Sequence, residues 1–236
     1  MKLRQVSVSL IIIIVFIFSC KKENTIKEVD LQFSYFPLTK GLQRIYKVSD
    51  RLIDKDIDLD TTFNYDLKEV VDSFYIDIAG EPAWRLVRFK RADSTKQWTL
   101  IDVWENQIVN NQALGVEENQ RFVKVVFPPK SGDTWNGNAY NTLMPKTFII
   151  TEIDKNKVIN GLSFDSVLTV YHDRSETMIN KYNTFEQYAV NVGLINKTII
   201  SIDYALIIPG VPIEQRISRG RLYYQTIISN QVNTAK

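Results

Sequence analysis

The chain has 236 residues, of which 44% are hydrophobic and 24% charged, and its formal net charge is +2. Without Lys2 and Arg4, which precede an apolar segment, the 29 basic residues fall to 27 and match the 27 acidic ones. This balance argues against nucleic acid and against an electrostatic membrane patch, both of which need a basic face, while the length suits one large domain with its own core.

The first residues have the features of a secretory signal. Residues 1–4 are basic, residues 6–18 form an apolar run of about 13 residues, and the small Ser19 precedes Cys20. A basic segment, a short apolar segment and a small residue before the cleavage site define such a signal. Because a membrane-spanning helix needs roughly 20 apolar residues, we predict a signal peptide over residues 1–19.

Ile17, Ser19 and Cys20 resemble the lipobox of bacterial lipoproteins. The resemblance implies cleavage before Cys20 and a diacylglycerol thioether on its sulfur, usually with an N-linked acyl chain such as palmitate. Two or three acyl chains anchor a protein stably, since each buried methylene contributes roughly 0.8 kcal/mol. Cys20 is the only cysteine of the chain, so we expect a membrane anchor and no disulfide. The alternative is an unmodified thiol after an ordinary signal.

The segment that follows is polar and of mixed charge, which predicts a lipidated tether over residues 20–32. Lys21 stands where inner-membrane lipoproteins commonly have aspartate, so the resemblance favours the outer membrane, on its periplasmic face or at the cell surface. We predict a single β-rich domain over residues 33–230 and a polar tail over residues 231–236.

Hydrophobic alternation indicates strands in the first half of this domain. Phe63, Tyr65 and Leu67 share one face of a period-two pattern, and aromatic and β-branched residues are abundant. Residues 110–119 could form one helical turn but lack an apolar stripe. The predicted strands are residues 45–53, 63–68, 70–76, 83–90, 98–104 and 122–127.

The second half continues with a predicted loop over residues 130–138 after Pro128-Pro129. Asn160-Gly161 suits the positive φ angles of a type I′ turn and predicts a hairpin there. A further hairpin is expected to turn at Asn191-Val192-Gly193. The predicted strands are residues 147–153, 162–171, 178–190, 194–204 and 221–229. About ten antiparallel strands without a helix predict an all-β barrel, half-barrel (lipocalin-like) or sandwich.

Two short segments echo one another. Residues 36–41 and 127–132 both begin Phe-Pro and end in glycine after a three-residue spacer. Either the chain contains two related β halves, or the same local turn occurs twice.

Tyr35-Phe36-Pro37-Leu38, with Gly41 and Tyr46, resembles the start of a broad set of uncharacterised Gram-negative lipoproteins. Trp135-Asn136-Gly137-Asn138 and Val192-Gly193-Leu194-Ile195 resemble further landmarks of the set. Arg44 stands where the set more often has tryptophan. The resemblance implies an all-β secreted domain and carries no activity with it.

The sequence offers no catalytic signature and predicts no cofactor. His172 is the only histidine, and beside Asp173 we expect it to be an exposed residue at a strand end. Asp54, Asp56, Asp58 and Asp60 alternate along one segment. Such carboxylates can converge on Ca²⁺, but Leu59 and Tyr65 occupy the glycine and glutamate positions of an EF-hand. The alternative is a hairpin whose wet face carries the aspartates.

The four tryptophans are candidates for contact with a ligand or partner, above all Trp135 in its Gly/Asn-rich segment. The favoured hypothesis is a non-catalytic binding lipoprotein for an apolar ligand, a glycan or an envelope protein. A structural component of an outer-membrane complex is the second, and a carboxylate-dependent hydrolase is the third. The candidate contact residues are Trp84, Trp98, Trp104 and Trp135.

Overall fold

The computed structural model describes residues 30–206 and 209–232. The predicted signal peptide, Cys20, most of the tether and residues 233–236 lie outside these ranges. The chain divides into two units, Met1–Asp30 and Leu31–Lys236, and all the described residues except Asp30 lie in the second. Within the described ranges there is no helix with the length and apolar character to span a membrane.

The second unit is built from one antiparallel sheet of 12 strands. Short 3-10 turns occur at Phe33–Tyr35, Lys55–Ile57 and Ile213–Arg216. The strands are β1 (Leu42–Asp54), β2 (Leu59–Ile76), β3 (Pro82–Arg91), β4 (Thr99–Val109), β5 (Gln112–Glu117), β6 (Gln120–Val126), β7 (Thr134–Asn136), β8 (Thr147–Ile159), β9 (Leu162–Glu176), β10 (Asn180–Ala189), β11 (Gly193–Tyr204) and β12 (Ile217–Val232).

The strands follow one another around the sheet in chain order. Each strand pairs with its neighbours in the sequence, except that β6 and β7 do not pair with each other. Strand β1 pairs with β12 along the full length of β1. The up-and-down sheet is therefore interrupted at one place, between β6 and β7, and curls into a nearly closed barrel shape. The all-β antiparallel prediction is confirmed, and the continuous single sheet selects the barrel alternative over the sandwich.

Buried apolar side chains fill much of the interior. One cluster joins Phe36 and Phe127 to residues of β8, β9 and β10. A second brings Phe164 of β9 against residues of β1, β2 and β12. The β8–β9 hairpin has three register shifts, and at its tip Asn160 donates a side-chain hydrogen bond to the Ile227 carbonyl (2.9 Å). Because bulges bend strands, the tip of this hairpin reaches β12.

The predicted turns at Asn160-Gly161 and Asn191-Val192-Gly193 are confirmed. Asn160 and Gly161 both have positive φ, and Ile159 pairs with Leu162. Asn191 and Gly193 also have positive φ. Each predicted strand overlaps an observed one, although the predictions 98–104, 122–127 and 178–190 extend one or two residues beyond β4, β6 and β10. Residues 63–68 and 70–76 belong to the single strand β2.

Strands β5 and β7 correct the prediction. Residues 110–119 contain β5, whose Ala113, Leu114 and Gly115 are consecutively buried, so its sequence does not alternate. Asn110 and Asn111 form the preceding turn with positive φ at both residues. The predicted loop over residues 130–138 contains β7, a strand of three residues that pairs only with β8.

Both echoed segments end in a glycine of positive φ at an equivalent place in the fold, but the Phe127-Pro128 peptide bond is cis and the Phe36-Pro37 bond is not. Gly41 and Gly132 have φ of 82° and 93°, and each precedes the first strand of a six-strand run. The Gly41 N–H donates to the Val71 carbonyl of the next strand, and the Gly132 N–H donates to the Ile150 carbonyl, both at 2.8 Å. The repetition is therefore one of position in the fold and of the glycine conformation with its hydrogen bond, while the Phe-Pro bonds differ.

The interruption between β6 and β7 is bridged by hydrogen bonds. The Val123 N–H of β6 donates to the Gly137 carbonyl (2.9 Å), and the Trp135 indole N–H donates to the Val123 carbonyl (2.8 Å). The Asn141 side chain donates to the Arg121 carbonyl (3.0 Å). These bonds satisfy backbone groups that an open sheet edge would leave exposed for pairing with another chain.

Replacing Trp135 by Phe tests this bridge. The phenyl ring keeps an aromatic contact with Phe148 but removes the N–H donor to Val123. We expect the free energy of unfolding to fall by about 1 kcal/mol in urea denaturation. Trp98→Phe is the control, because Trp98 contacts Lys68 and Arg91 through its ring face. An equal loss in both variants would contradict the assigned role.

Candidate functional site

A cavity lies inside the barrel-shaped sheet. Its volume is about 40 Å³, and on such a scale one water needs roughly 10–15 Å³. The cavity therefore accommodates a few waters or one ligand group of similar size. It is lined by side chains of Phe36, Arg44, Glu69, Leu86, Trp104, Asn106, Glu117, Lys124, Glu186, Tyr188, Leu194, Lys197 and Gln225.

Two lysines and two glutamates of this lining form a closed ring of ion pairs, here called the charge ring. Lys124 Nζ lies 2.7 Å from an oxygen of Glu117 and 2.7 Å from one of Glu186. Lys197 Nζ lies 2.8 Å and 3.2 Å from oxygens of the same two glutamates. Each carboxylate thus contacts both ammonium groups, and the ring is electrically neutral.

The strand period places these charges inside. Glu186 is two residues before the buried Tyr188, and Lys197 is two residues after the buried Ile195, so each shares the inward face of its strand. The side chain of Glu186 is 1% exposed, whereas those of Glu117 and Lys197 are 17% and 15% exposed. Solvent therefore reaches the charge ring from the side of Glu117 and Lys197.

The charge ring keeps its carboxyl groups ionised. Burial alone would raise the pKa of Glu117, but the ammonium groups of Lys124 and Lys197 outweigh it and lower that pKa to about 2. The same balance lowers the pKa of Glu186 well below its usual value. Burial opposes the charge on Lys197, but the two glutamates raise its pKa. All three groups are charged at neutral pH.

Two aromatic-ring side chains complete the surroundings of Glu186. The Tyr188 hydroxyl donates a hydrogen bond to Glu186 Oε2, and His172 Nε2 lies 3.4 Å from the same oxygen. The His172 ring stacks on Phe148 at 3.9 Å. The expectation of an exposed strand-end histidine is wrong, because β9 continues past His172 to Glu176. Burial lowers the pKa of His172 despite the nearby carboxylate, so the imidazole is neutral at pH 7.

A second buried group of charges borders the cavity. Arg88 Nε lies 3.2 Å from Glu69, and Arg44 Nη2 lies 3.8 Å from it. The Tyr46 hydroxyl donates to the same carboxylate (3.3 Å). The Arg88 guanidinium also lies over the Trp104 ring, 3.5 Å from its centroid. This group has two guanidinium cations for one carboxylate.

Two buried donors beside the cavity lack a hydrogen-bond partner among the described residues: Arg44 Nε and Gln225 Nε2. The other polar end of Gln225 is occupied, because the Tyr223 hydroxyl donates to its Oε1 (2.7 Å). Arg44 Nη1 donates to the Val192 carbonyl (3.3 Å). A buried N–H without an acceptor costs roughly 1–3 kcal/mol, so an acceptor placed in this cavity is stabilised.

The four candidate tryptophans do not converge on one site. Trp104 lines the cavity, whereas Trp135 lies at the bridge between β6 and β7. Trp84 packs beside Leu42, Val71 and Leu86. Trp98 contacts cationic side chains through its ring face. Of the four, Trp104 alone lines the cavity.

The alternating aspartates occupy the β1–β2 hairpin and pair with cations. Asp60 binds Arg51 and Lys55, while Asp54 and Asp56 both bind Arg219. Asp58 ends the 3-10 turn with positive φ. In the part of the chain that the structure describes, no group of three or more Asp, Glu, His or Cys side chains is arranged to hold a metal ion.

The sequence analysis missed the charge ring and the Glu69 group. Their signal was present as charged residues in phase with buried apolar neighbours, for example Ile195-Asn196-Lys197 and Glu186-Gln187-Tyr188. From the sequence alone, each such residue is interpreted as a charge on the solvent-exposed face of its strand, because the partner that neutralises it lies on a distant strand.

Comparison with known proteins gives no family model and no curated protein that matches the chain. Two solved structures are similar to it. One, from Bacteroides fragilis, is described as an exported protein with a YmcC-like fold; it is 11% identical, with a TM-score of 0.43, covering 83% of this chain and 98% of that one. The other, from Parabacteroides distasonis, is described as a lipoprotein; it is 13% identical, with a TM-score of 0.39, covering 84% and 98%.

Removing one cation tests the cohesion of the charge ring. We expect Lys197→Met to lower the free energy of unfolding by roughly 3–5 kcal/mol, because it leaves buried carboxylates with a single ammonium partner. Adding Glu117→Gln should recover most of the loss. Lys181→Met is the control, since its pair with Glu176 is exposed and should contribute less than about 1 kcal/mol. Additive effects of the two ring substitutions in denaturation would contradict the ring.

Acid titration tests the ionisation of Glu117. Its pKa is lower when folded than when unfolded, so its contribution to stability is complete above about pH 4.5 and disappears as the pH falls towards about 2. We expect Glu117→Gln to show a shallower decline of unfolding free energy over that interval. Identical slopes for Glu117→Gln and wild type would overturn the assignment.

Proposed function

We propose that this chain is a lipid-anchored, non-catalytic binding protein of the bacterial outer membrane, whose barrel interior holds a small polar ligand. Export and lipid anchoring are supported by the basic and apolar segments before Cys20 and by the resemblance to a lipobox. The single cysteine is the attachment point for the acyl chains, and the β domain is the part that binds.

The charged lining of the cavity carries the proposal. A barrel that serves only as a scaffold fills its interior with packed apolar side chains, whereas here ion pairs and unpartnered donors border a space. Burying charges is costly unless each is compensated. The lining therefore favours a polar ligand over a purely apolar one.

Glu117 and Glu186 do not form the carboxyl pair of a glycosidase. A glycosidase needs one carboxyl that holds a proton and one that is ionised, so the two pKa values must be pushed apart. Glu117 and Glu186 share the same two lysines, and the pKa of each is lowered. Neither is suited to donate a proton at neutral pH.

A second candidate function is a structural role in an envelope complex. Val70, Val87 and Val103 are cross-strand neighbours on the outer face of β2, β3 and β4, and Val103 is 47% exposed. Phe89 and Leu100 are paired on the same two strands β3 and β4. These apolar residues form a row on the outer face of the sheet, and such a row suits contact with another protein.

Native mass spectrometry separates the two candidates. The chain from Lys21 to Lys236, which contains the whole described sheet, is incubated with envelope extract and weighed. A bound small molecule supports the cavity proposal. A bound protein that is lost in Val103→Lys, with no small molecule present, supports the structural role and would refute ligand binding. Arg85→Gln, an exposed change on β3, controls for general surface effects.

A further inference from the structure

We infer that the group held in the cavity is a small oxyanion, of which a carboxylate is the simplest, bound by Arg44 and Gln225. This inference rests on the proposed function and specifies its ligand class. Its basis is the charge count, the unpartnered donors and the size of the cavity.

The charges around the cavity leave one cation uncompensated. The charge ring is neutral, with two lysines for two glutamates. The Glu69 group adds Arg44 and Arg88 against one carboxylate. The residues that line the cavity are balanced, with Arg44, Lys124 and Lys197 against Glu69, Glu117 and Glu186. Arg88, which contacts Glu69 from outside the lining, adds one positive charge, and the neutral His172 does not change this count. A buried net charge favours an ion of opposite sign.

The unpartnered atoms that belong to residues of the cavity lining are of one kind. Arg44 Nε and Gln225 Nε2 are N–H donors, so their complement is an acceptor. Arg44 is 5% exposed and Gln225 is 1% exposed, and both line the cavity. An oxyanion provides only acceptors, whereas an ammonium or a guanidinium ligand would bring further donors. Hydrogen bonds between an arginine and an oxyanion are also stronger than those to neutral acceptors.

The backbone around Arg44 fixes its guanidinium. Besides its contact with Glu69, Arg44 Nη1 donates to the Val192 carbonyl, and a Cβ at Gly193 would lie 2.4 Å from that Nη1. Gly193 is therefore required both by its positive φ of 84° and by the approach of the guanidinium. Arg44 is thus held at the cavity wall by three neighbours while its Nε remains available.

The volume selects a small group. About 40 Å³ is sufficient for a carboxylate or for a few waters, and it is insufficient for a drug-sized ligand, which needs roughly 300–1,000 Å³. The inferred ligand is therefore either a small free carboxylate or the carboxylate end of a molecule that enters beside Glu117 and Lys197.

Thermal unfolding of the full chain in detergent tests the inference. Acetate is the probe, with sodium chloride at equal ionic strength and acetamide, a neutral molecule of the same shape, as comparators, all at pH 7.5. We expect acetate alone to raise the melting temperature, by about 3–5 °C at ten times its Kd. If acetamide stabilises equally, the cavity binds ligands but not by charge; the inference fails while the proposed function stands.

Gln225→Glu provides an internal mimic of the ligand. It places a carboxylate in the cavity lining that also contains Arg44, opposite Lys197 on the neighbouring strand and in almost the same volume, so we expect a higher melting temperature without acetate and no further rise with it. Arg85→Gln should respond to acetate as wild type does. If acetate has no effect on wild type and Gln225→Glu is destabilised, the cavity holds water only and the inference is overturned.

Discussion

A sheet of 12 strands that nearly closes on itself encloses more space than eight strands, whose interior side chains just fill. Apolar clusters occupy part of that space, one below the first turn of the domain and one at the tip of the β8–β9 hairpin. Between them the chain places ionised side chains. The size of the enclosed interior is the constraint from which the charge ring, the cavity and the binding proposal all follow.

Buried ion pairs are a conditional source of stability. Removing two charges from water costs several kcal/mol for each ion, and only complete pairing offsets it. The charge ring satisfies this condition because each carboxylate contacts both lysines, whereas the Glu69 group has two cations and only one carboxylate. The charge ring therefore stabilises one wall of the cavity, whereas the Glu69 group forms a wall at which a hydrogen-bond acceptor can bind. The same physical rule therefore accounts for the core and for the inferred ligand class.

Closure of the sheet depends on a different set of interactions. Strands β1 and β12 pair along their full length, whereas β6 and β7 are linked by a few bonds from a loop and from the Trp135 indole. Each echoed Phe-Pro segment leads to a glycine of positive φ just before one of the two six-strand runs. Trp135 is a candidate for ligand contact on sequence grounds, because its neighbours are rich in glycine and asparagine. In the structure its indole instead makes a structural contact with β6, since the loop packs across the interruption of the sheet.

The amino-acid sequence alone determined the all-β class and several turns, because these depend on local chemistry. Asn160-Gly161 and Gly193 fit positive φ angles whatever surrounds them, and the alternation in β2 requires one buried face. Strand β5 escaped prediction because its consecutive burial removes the alternation that sequence reasoning relies on.

Only the tertiary structure decided which inward-facing charges meet. Lys124 and Glu186 are 62 residues apart, and Glu117 and Lys197 are 80 apart. A lone lysine or glutamate in a strand pattern reads as solvent-facing, because burying it unpaired would be prohibitive. The curl of the sheet brings β5 and β6 opposite β10 and β11, and the proximity of opposite charges makes their burial stable. Arg44 was visible in the sequence as a departure from the resembling set, but its role depends on Glu69, Val192 and Gly193, which the closed sheet places around it.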